Sequence, residues 1–472
     1  MVFSSIPFLF FFFPLFLLLY YIVPLKAKNI VLLIFSLIFY SWGEPVYIFL
    51  MIFTSLVNYF SGIILEKKEN QSLRKAILIV CIVINLGLLG FFKYTNFFIE
   101  GFSLFAAKKP QLLDIALPIG ISFYTFQNLS YSIDVYRNSY KAEKNLLTYM
   151  AYITMFPQLI AGPIVRFSTV REELHQRQIN FSRVSRGVMR FLVGLFKKVL
   201  VADSIAVLWD SIRQQGLDDG VSVVAAWLGA AAFTLQLYFD FSAYSDMAIG
   251  MGEMLGFRFL ENFNYPLSAV SVTDFWRRWH ISLSSWFRDY VYIPLGGNRR
   301  SKSRNILNIL IVWALTGFWH GAAWNFILWG VYYGILLILE KNVWGRFIEK
   351  APKLVGHLYT LFIVVFGFTI FYFDNTSQLF SYIKLMFGAT STAFVDSSII
   401  YYLSNFAPVL IVACVFAAPL AKVISRKLLN SQNVTLKNLS RAACAVVFVG
   451  LFALSVAYIV NSSYSPFLYF RF

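Results

Sequence analysis

Between Asn305 and Leu339 the sequence runs for 35 residues without one Asp, Glu, Lys or Arg, and His320 sits near the middle of that run. One membrane crossing takes about 20 apolar residues, so the run reads as two short spans that meet around Thr316 to Gly321. The histidine then lies within the thickness of a bilayer. Polar side chains in hydrocarbon are costly and face a protein interior or a water-filled cavity, which makes His320 a functional-site candidate. A structural histidine with both ring nitrogens satisfied by neighbours fits the same placement.

The rest of the chain agrees with a membrane setting. Of 472 residues, 59% are hydrophobic and 13% charged, with a mean hydropathy of +0.67, whereas soluble domains carry about 25% charged residues. The fold expected is all-α and polytopic, with roughly eleven to thirteen transmembrane or re-entrant helices. Uncharged stretches suited to spans or half-spans cover 29–43, 45–65, 76–92, 115–133, 145–165 and 221–239, then the pair around His320, then 354–373, 397–421 and 442–461. No internal repeat or long linker divides the chain, so residues 1–472 read as one membrane domain with 461–472 as a tail. The first 25 residues carry no charge and lack the positive flank of a secretory signal, so they are expected to remain as the first span. Cys81, Cys414 and Cys444 lie in separate apolar stretches, without metal or redox spacing, and read as packing residues. No metal site is expected.

A net charge of +17 raises the question of nucleic acid, but no basic arm or domain stands apart from the spans. Loop charge that sets topology explains it better. Lys26 and Lys28, Glu66 to Lys75, and Arg137 to Lys144 follow the first, third and fifth apolar stretches. The positive-inside rule makes those loops cytoplasmic, along with Arg299 to Arg304, Lys341 to Lys353 and Arg426 to Arg441, and puts the N- and C-termini outside.

Two central regions are more polar than a passive anchor needs. Gln236 to Asp246 places Asp240 and Asp246 six residues apart, on opposite faces of a straight helix, so they do not form a catalytic pair. Each carboxylate fits a structural network fed by tyrosines, serines or arginines as well as it fits catalysis. Thr273 to Tyr290 puts Trp276, Trp279, Leu283, Trp286 and Tyr290 at steps of three and four, with Arg277 and Arg288 off the stripe. This pattern predicts one amphipathic helix near the interface, capped by Ser271 or Thr273, with Asp274 and Arg278 paired one turn apart. The basic cluster Asn298 to Arg304 serves either as a topology-setting loop or as a phosphate contact, the loop being the simpler reading.

Taken together, these motifs resemble the membrane-bound O-acyltransferases, in the bacterial alginate O-acetyltransferase-like branch. The resemblance rests on residues 39–45, 90–98, 117–127, 156–166, 238–250, 261–266, 275–284 and 316–325 in order along almost the whole chain. It implies helices around a central tunnel, with an acyl donor entering from the cytosol and an acceptor from the other face. It implies that His320 is the catalytic histidine and that His280 is the second histidine of this branch, in a supporting role. Trp319, Trp324 and Asn325 become candidate pocket residues beside it, and Asp240, Asp246, Arg166 and Arg277 candidate tunnel residues.

The chemistry suits the residue types. Acyl transfer from a thioester to a hydroxyl requires a base, and a neutral imidazole serves near working pH. His280 would orient the acceptor or donate to the developing oxyanion. Ser282, Ser284 and Ser285 allow a Ser–His acyl-enzyme, although hydroxyls one turn from a histidine are common at helix interfaces. The C-terminal end, Ser465 to Phe472, resembles the terminal tail of the small subunit in teichoic-acid D-alanylation. Tyr469 on the outer side is accordingly either an acyl relay or an interfacial anchor.

The function expected is transfer of an acyl group, chiefly acetyl, toward hydroxyls of an extracytoplasmic polysaccharide. No cofactor is expected to be held tightly; the donor would be a thioester such as acetyl-CoA or an acyl carrier protein. The expected partners are an extracytoplasmic SGNH-type acetyltransferase, the polysaccharide and membrane lipid, with no nucleic acid, at the bacterial cytoplasmic (inner) membrane. The alternative is a non-catalytic transporter or scaffold of a polysaccharide export assembly.

Overall fold

In a bilayer every backbone N–H and C=O must be bonded within its own segment, which a helix achieves. The computed structural model describes residues 1–103, 111–430, 433–461 and 467–468, and within them helices form throughout and no strand occurs. Seven of these helices are long and apolar enough to cross a membrane. Several other uncharged stretches fold as shorter or broken helices. The 145–165 stretch becomes Leu146–Thr154 and Phe156–Leu159, and the N-terminal stretch becomes a short apolar helix over Phe8–Ile22.

The chain forms two compact units. The first comprises Met1–Phe191 and Ser245–Glu261. Its helices Ile48–Lys67, Gln71–Ser103 and Ile121–Tyr136 are pinned by a buried polar cluster. Asn58 Nδ2 donates to Asn85 Oδ1 at 3.0 Å, and Asn58 Oδ1 accepts from Ser132 Oγ at 2.8 Å and Cys81 Sγ at 3.0 Å. Interhelical hydrogen bonds of this kind replace the hydrophobic drive that lipid cannot supply. Cys81 is thus a packing residue as expected, but Cys414 is exposed on its helix and packs no core.

The second unit comprises Leu192–Tyr244 and Asn262–Phe472. Its centre is the uncharged run, which folds as the hairpin Lys302–His320 and Trp324–Leu339. Gly317 and Gly330 make the hairpin close: a Cβ on Gly317 would lie 2.2 Å from the Phe326 carbonyl oxygen, and one on Gly330 2.3 Å from that of Trp313. Small residues at the contact let two membrane helices approach backbone to backbone. Lys353–Tyr372 packs on the hairpin, with Tyr332 donating to the Ile363 carbonyl at 3.0 Å.

The expected single helix over Thr273 to Tyr290 is broken. Val272–Arg278 and Ile281–Phe287 are separate helices, followed by a π-helical turn over Arg288–Tyr292. The cause lies in Asn262 to Asn264, which takes over backbone groups that would have continued the helix. Asn264 N donates to the Arg278 carbonyl at 2.9 Å, and Ile281 N donates to the Asn262 carbonyl at 3.0 Å. His280, between the two helices, adopts a left-handed conformation with φ 45°. The Ser271 cap is found, with its hydroxyl accepting from Asp274 N at 3.0 Å, and so is the Arg278–Asp274 pair at 2.8 Å. Trp276, Trp279, Leu283 and Trp286 are buried, so the aromatic stripe belongs to the core of this unit and is no interfacial anchor. Trp276 alone meets Trp313, Trp329 and Tyr333 edge-on at 4.7–5.4 Å.

Candidate active site

His320 is the last residue of its helix, and Gly321 leaves it in an extended conformation. Around the imidazole stand Trp319, Trp329 and Phe371, with ring centroids at 4.9, 5.1 and 5.2 Å and interplanar angles of 73–85°. Edge-on aromatic contacts of this kind fix a ring's plane without supplying charge. The half-buried ring is open to two cavities.

The larger cavity is a chamber of about 930 Å³. Its lining includes His280, His320, Trp279, Arg277, Arg346 and Lys353. The last two belong to the loop region read as cytoplasmic. Asp274, Glu340 and Glu349 also line the chamber; Asp274 pairs with Arg278 and Glu340 accepts the N–H groups of Val272 and Thr273, while Arg277, Arg346 and Lys353 make no ion pair or hydrogen bond among the described residues. Of the basic cluster 298–304, only Asn298 lines it, and Arg299, Arg300, Lys302 and Arg304 are exposed as a topology-setting loop is.

The smaller cavity, about 30 Å³, is bounded by Asp240, Trp279, His320, Trp329, Phe371 and Leu468. That is the share of liquid volume taken by one water molecule. His320 and Trp279 line both cavities. The imidazole therefore stands at the constriction between a roomy chamber and a narrow one.

His280 is 1% exposed. Its Nδ1 lies 3.2 Å from Asn262 Oδ1, which also accepts from Ser282 N at 3.1 Å and Ser282 Oγ at 2.9 Å. A carbonyl oxygen only accepts, so Nδ1 carries the proton and Nε2 holds a lone pair. Nε2 is buried and has no hydrogen-bond partner among the described residues. Burial pushes the imidazole's pKa down to about 3, which keeps it neutral. Trp319 lies between the histidines, its ring 6.2 Å from His280 and 4.9 Å from His320.

Asp240 is buried and split in function. Its Oδ1 accepts from Lys198 Nζ at 2.8 Å, and its Oδ2 accepts from the backbone N–H of Leu468, also at 2.8 Å. Lys198 also pairs with Asp203 at 2.7 Å. Burial works against the lysine's charge and the two carboxylates outweigh it, holding Lys198 protonated.

Not every sequence candidate gathers here. Trp324 is 55% exposed and lines neither cavity. Asn325 is buried and lines neither cavity, its Nδ2 donating to the Phe371 carbonyl at 2.8 Å. Asp246 and Arg166 belong to the first unit, where Asp246 pairs with Arg190 at 2.7 Å. Ser282 is committed to Asn262, and Ser285 donates to the Ser282 carbonyl at 2.9 Å; Ser284 lines the chamber. Tyr469 lies outside the described residues. Sequence reasoning passed over Asn262, Lys198 and Trp279 as site residues. Asn262 lies within the 261–266 motif, and Lys198 is a cation next to an apolar run.

Residues 138–384 match the MBOAT, membrane-bound O-acyltransferase family. The chain is 38% identical to "Probable alginate O-acetylase AlgI" of Azotobacter vinelandii, over 100% of both chains. It is 32% identical to the peptidoglycan O-acetyltransferase of Helicobacter pylori, over 100% of this chain and 98% of the relative. A teichoic acid D-alanyltransferase of Streptococcus thermophilus is 30% identical over 50% of this chain and 60% of its own length. The chain belongs to the membrane-bound O-acyltransferase family, in its alginate O-acetyltransferase-like branch. It is a multi-pass membrane O-acyltransferase, which sets aside the transporter or scaffold reading.

Proposed function

We propose that this enzyme takes an acetyl group from a cytosolic thioester in the large chamber and passes it, past His320, toward hydroxyls of an extracytoplasmic polysaccharide. The observation that carries this is the position of His320, which with Trp279 lines both cavities. The chamber has the volume of a ligand cleft, and its cations suit the phosphates of acetyl-CoA or of a phosphopantetheine arm on a carrier protein. The positive-inside reading of the loops supports a cytosolic side for the chamber and an outer side for Leu468.

In the reaction proposed, His320 accepts the proton of an attacking hydroxyl as its oxygen bonds to the thioester carbonyl carbon. The C–S bond then breaks, and the leaving thiolate takes the proton from the imidazolium. The carbonyl end of the Lys302–His320 helix favours positive charge there, which helps the imidazolium form. His280 supports rather than abstracts: its lone pair at Nε2 accepts a hydrogen bond, so in this tautomer it orients a hydroxyl and does not serve an oxyanion. The first acceptor hydroxyl is that of Tyr469, whose phenyl ester is activated for passage to an extracytoplasmic SGNH-type partner that completes transfer to the polymer.

The test is ester-linked acetyl in the host's extracellular polysaccharide and wall, with wild type, His320→Ala and Tyr469→Phe at equal membrane levels. Loss in both variants is expected. Loss with His320→Ala alone removes the relay, and loss in neither removes the mechanism.

A further inference from the structure

Lys198 and Asp240 form a buried ion pair that the chemistry above does not use. Such pairs add little net stability, because desolvation offsets their attraction. This pair has a second property: Lys198 donates to Oδ1 of Asp240, and Oδ2 accepts the main-chain N–H of Leu468 at 2.8 Å from 228 residues away in sequence. One residue earlier, the Phe467 ring is 1% exposed. It meets Tyr244 edge-on at 5.1 Å, with Lys198 Nζ 4.8 Å from its centroid. Leu468 in turn lines the small cavity beside His320.

We infer that the Lys198–Asp240 pair is a docking site for the chain's own Phe467–Leu468 segment, gripping the Phe467 ring and the Leu468 N–H so that Leu468 meets the His320 cavity in one register. The carboxylate reads main chain, and every residue but proline offers an N–H, so selectivity comes from the aromatic ring one position before. Lys198 neutralises Asp240 and at the same time makes the cation–π contact. Tyr469 is covalently next to the clamped residue, one Cα step of about 3.8 Å onward. That consequence rests on the relay reading; the docking itself does not.

The test replaces Phe467 with p-benzoylphenylalanine in the full-length protein in membranes and maps the photo-cross-link by mass spectrometry. Cross-links to peptides carrying Lys198 or Tyr244 are expected. Leu468→Pro removes the donor N–H together with the leucine side chain and should lower their yield about ten-fold, as loss of a hydrogen bond to a charged group implies, whereas Leu468→Ala, which removes the side chain and keeps the N–H, should not. The double variant Lys198→Met/Asp240→Leu removes the clamp and takes the lysine from Asp203, whose side chain is 29% exposed and so remains in reach of water; it should act like Leu468→Pro. Equal yields in Leu468→Pro and the parent, or no cross-link to these peptides in the parent, would overturn the assignment. The same cross-link scored with His320→Ala keeps the two ideas apart: docking stands if it persists, whatever happens to acetyl transfer.

Discussion

His280 Nδ1 and Asn262 Oδ1 are 3.2 Å apart, and this contact decides which nitrogen of a buried histidine carries its proton. The Asn262 side chain is held in turn by Ser282, through both its N–H and its hydroxyl. Asn262→Ala leaves the Nδ1–H buried without an acceptor and frees the ring to change tautomer. Losing a buried partner is worth roughly 1–3 kcal/mol, so acetyl transfer should fall about ten-fold or more with donor KM nearly unchanged. Steady-state kinetics in nanodiscs with acetyl-CoA checks it. An unchanged kcat would show that His280 is orientated by packing alone.

Burial of His280 also links stability to pH. The folded pKa is near 3 and the unfolded one about 6.5. A depressed pKa on a base means that the unfolded chain binds the proton first. The stability this group contributes is therefore complete above pH 6.5 and is lost as pH falls from there toward 3, by about 1.4 kcal/mol per pH unit at the limiting slope. His280→Gln removes that titration. Melting of wild type and variant in detergent at pH 7.5, 6 and 5 should show the wild type losing more. Parallel losses would mean that His280 is accessible to protons when folded.

Much of this site was legible in the sequence where a single local rule decided the outcome. The missing charges from Asn305 to Leu339 announced a hairpin, and the helix does end at His320. Asp240 and Asp246 were expected to act apart, and each has its own basic partner, Lys198 and Arg190. What failed was reasoning that needed long-range contacts. Periodicity from Thr273 to Tyr290 was right about which side chains are apolar, but the helix breaks at His280 because Asn262 and Asn264, 18 and 16 residues earlier, take its backbone bonds. Adjacency to His320 in sequence also misled: Trp324 and Asn325 follow the turn, and the turn directs one outward and the other to Phe371.

The chamber's cations make a separate prediction about the donor. Arg277 and Arg346 line it and make no ion pair among the described residues. A solvated contact to phosphate is worth about 1 kcal/mol, so Arg277→Ala/Arg346→Ala should raise donor KM about five-fold or more and leave kcat close to wild type. The effect should shrink as salt rises, because screening weakens the wild-type contact most. Equal KM values at low salt would place the donor's phosphates elsewhere.

The hairpin that carries His320 depends on two glycines in a way that a stability measurement can isolate. Gly317 faces Phe326 and Gly330 so closely that a methyl group there would sit 2.2 Å from a carbonyl oxygen, and backbone cannot retreat as a flexible side chain does. Gly87, also mid-helix, has nothing within 4 Å of its Cβ position among the described residues. Alanine is the better helix former by about 1 kcal/mol, so Gly87→Ala should leave the melting temperature unchanged or raise it. Gly317→Ala gains the same propensity but must force the two helices apart, an overpacking penalty of about 1–3 kcal/mol or more. It should lower the melting temperature in detergent and reduce acetyl transfer further than stability alone explains, because spreading the hairpin moves His320 against Trp329 and Phe371. Equal melting temperatures for the two variants would show that the hairpin tolerates a wider crossing.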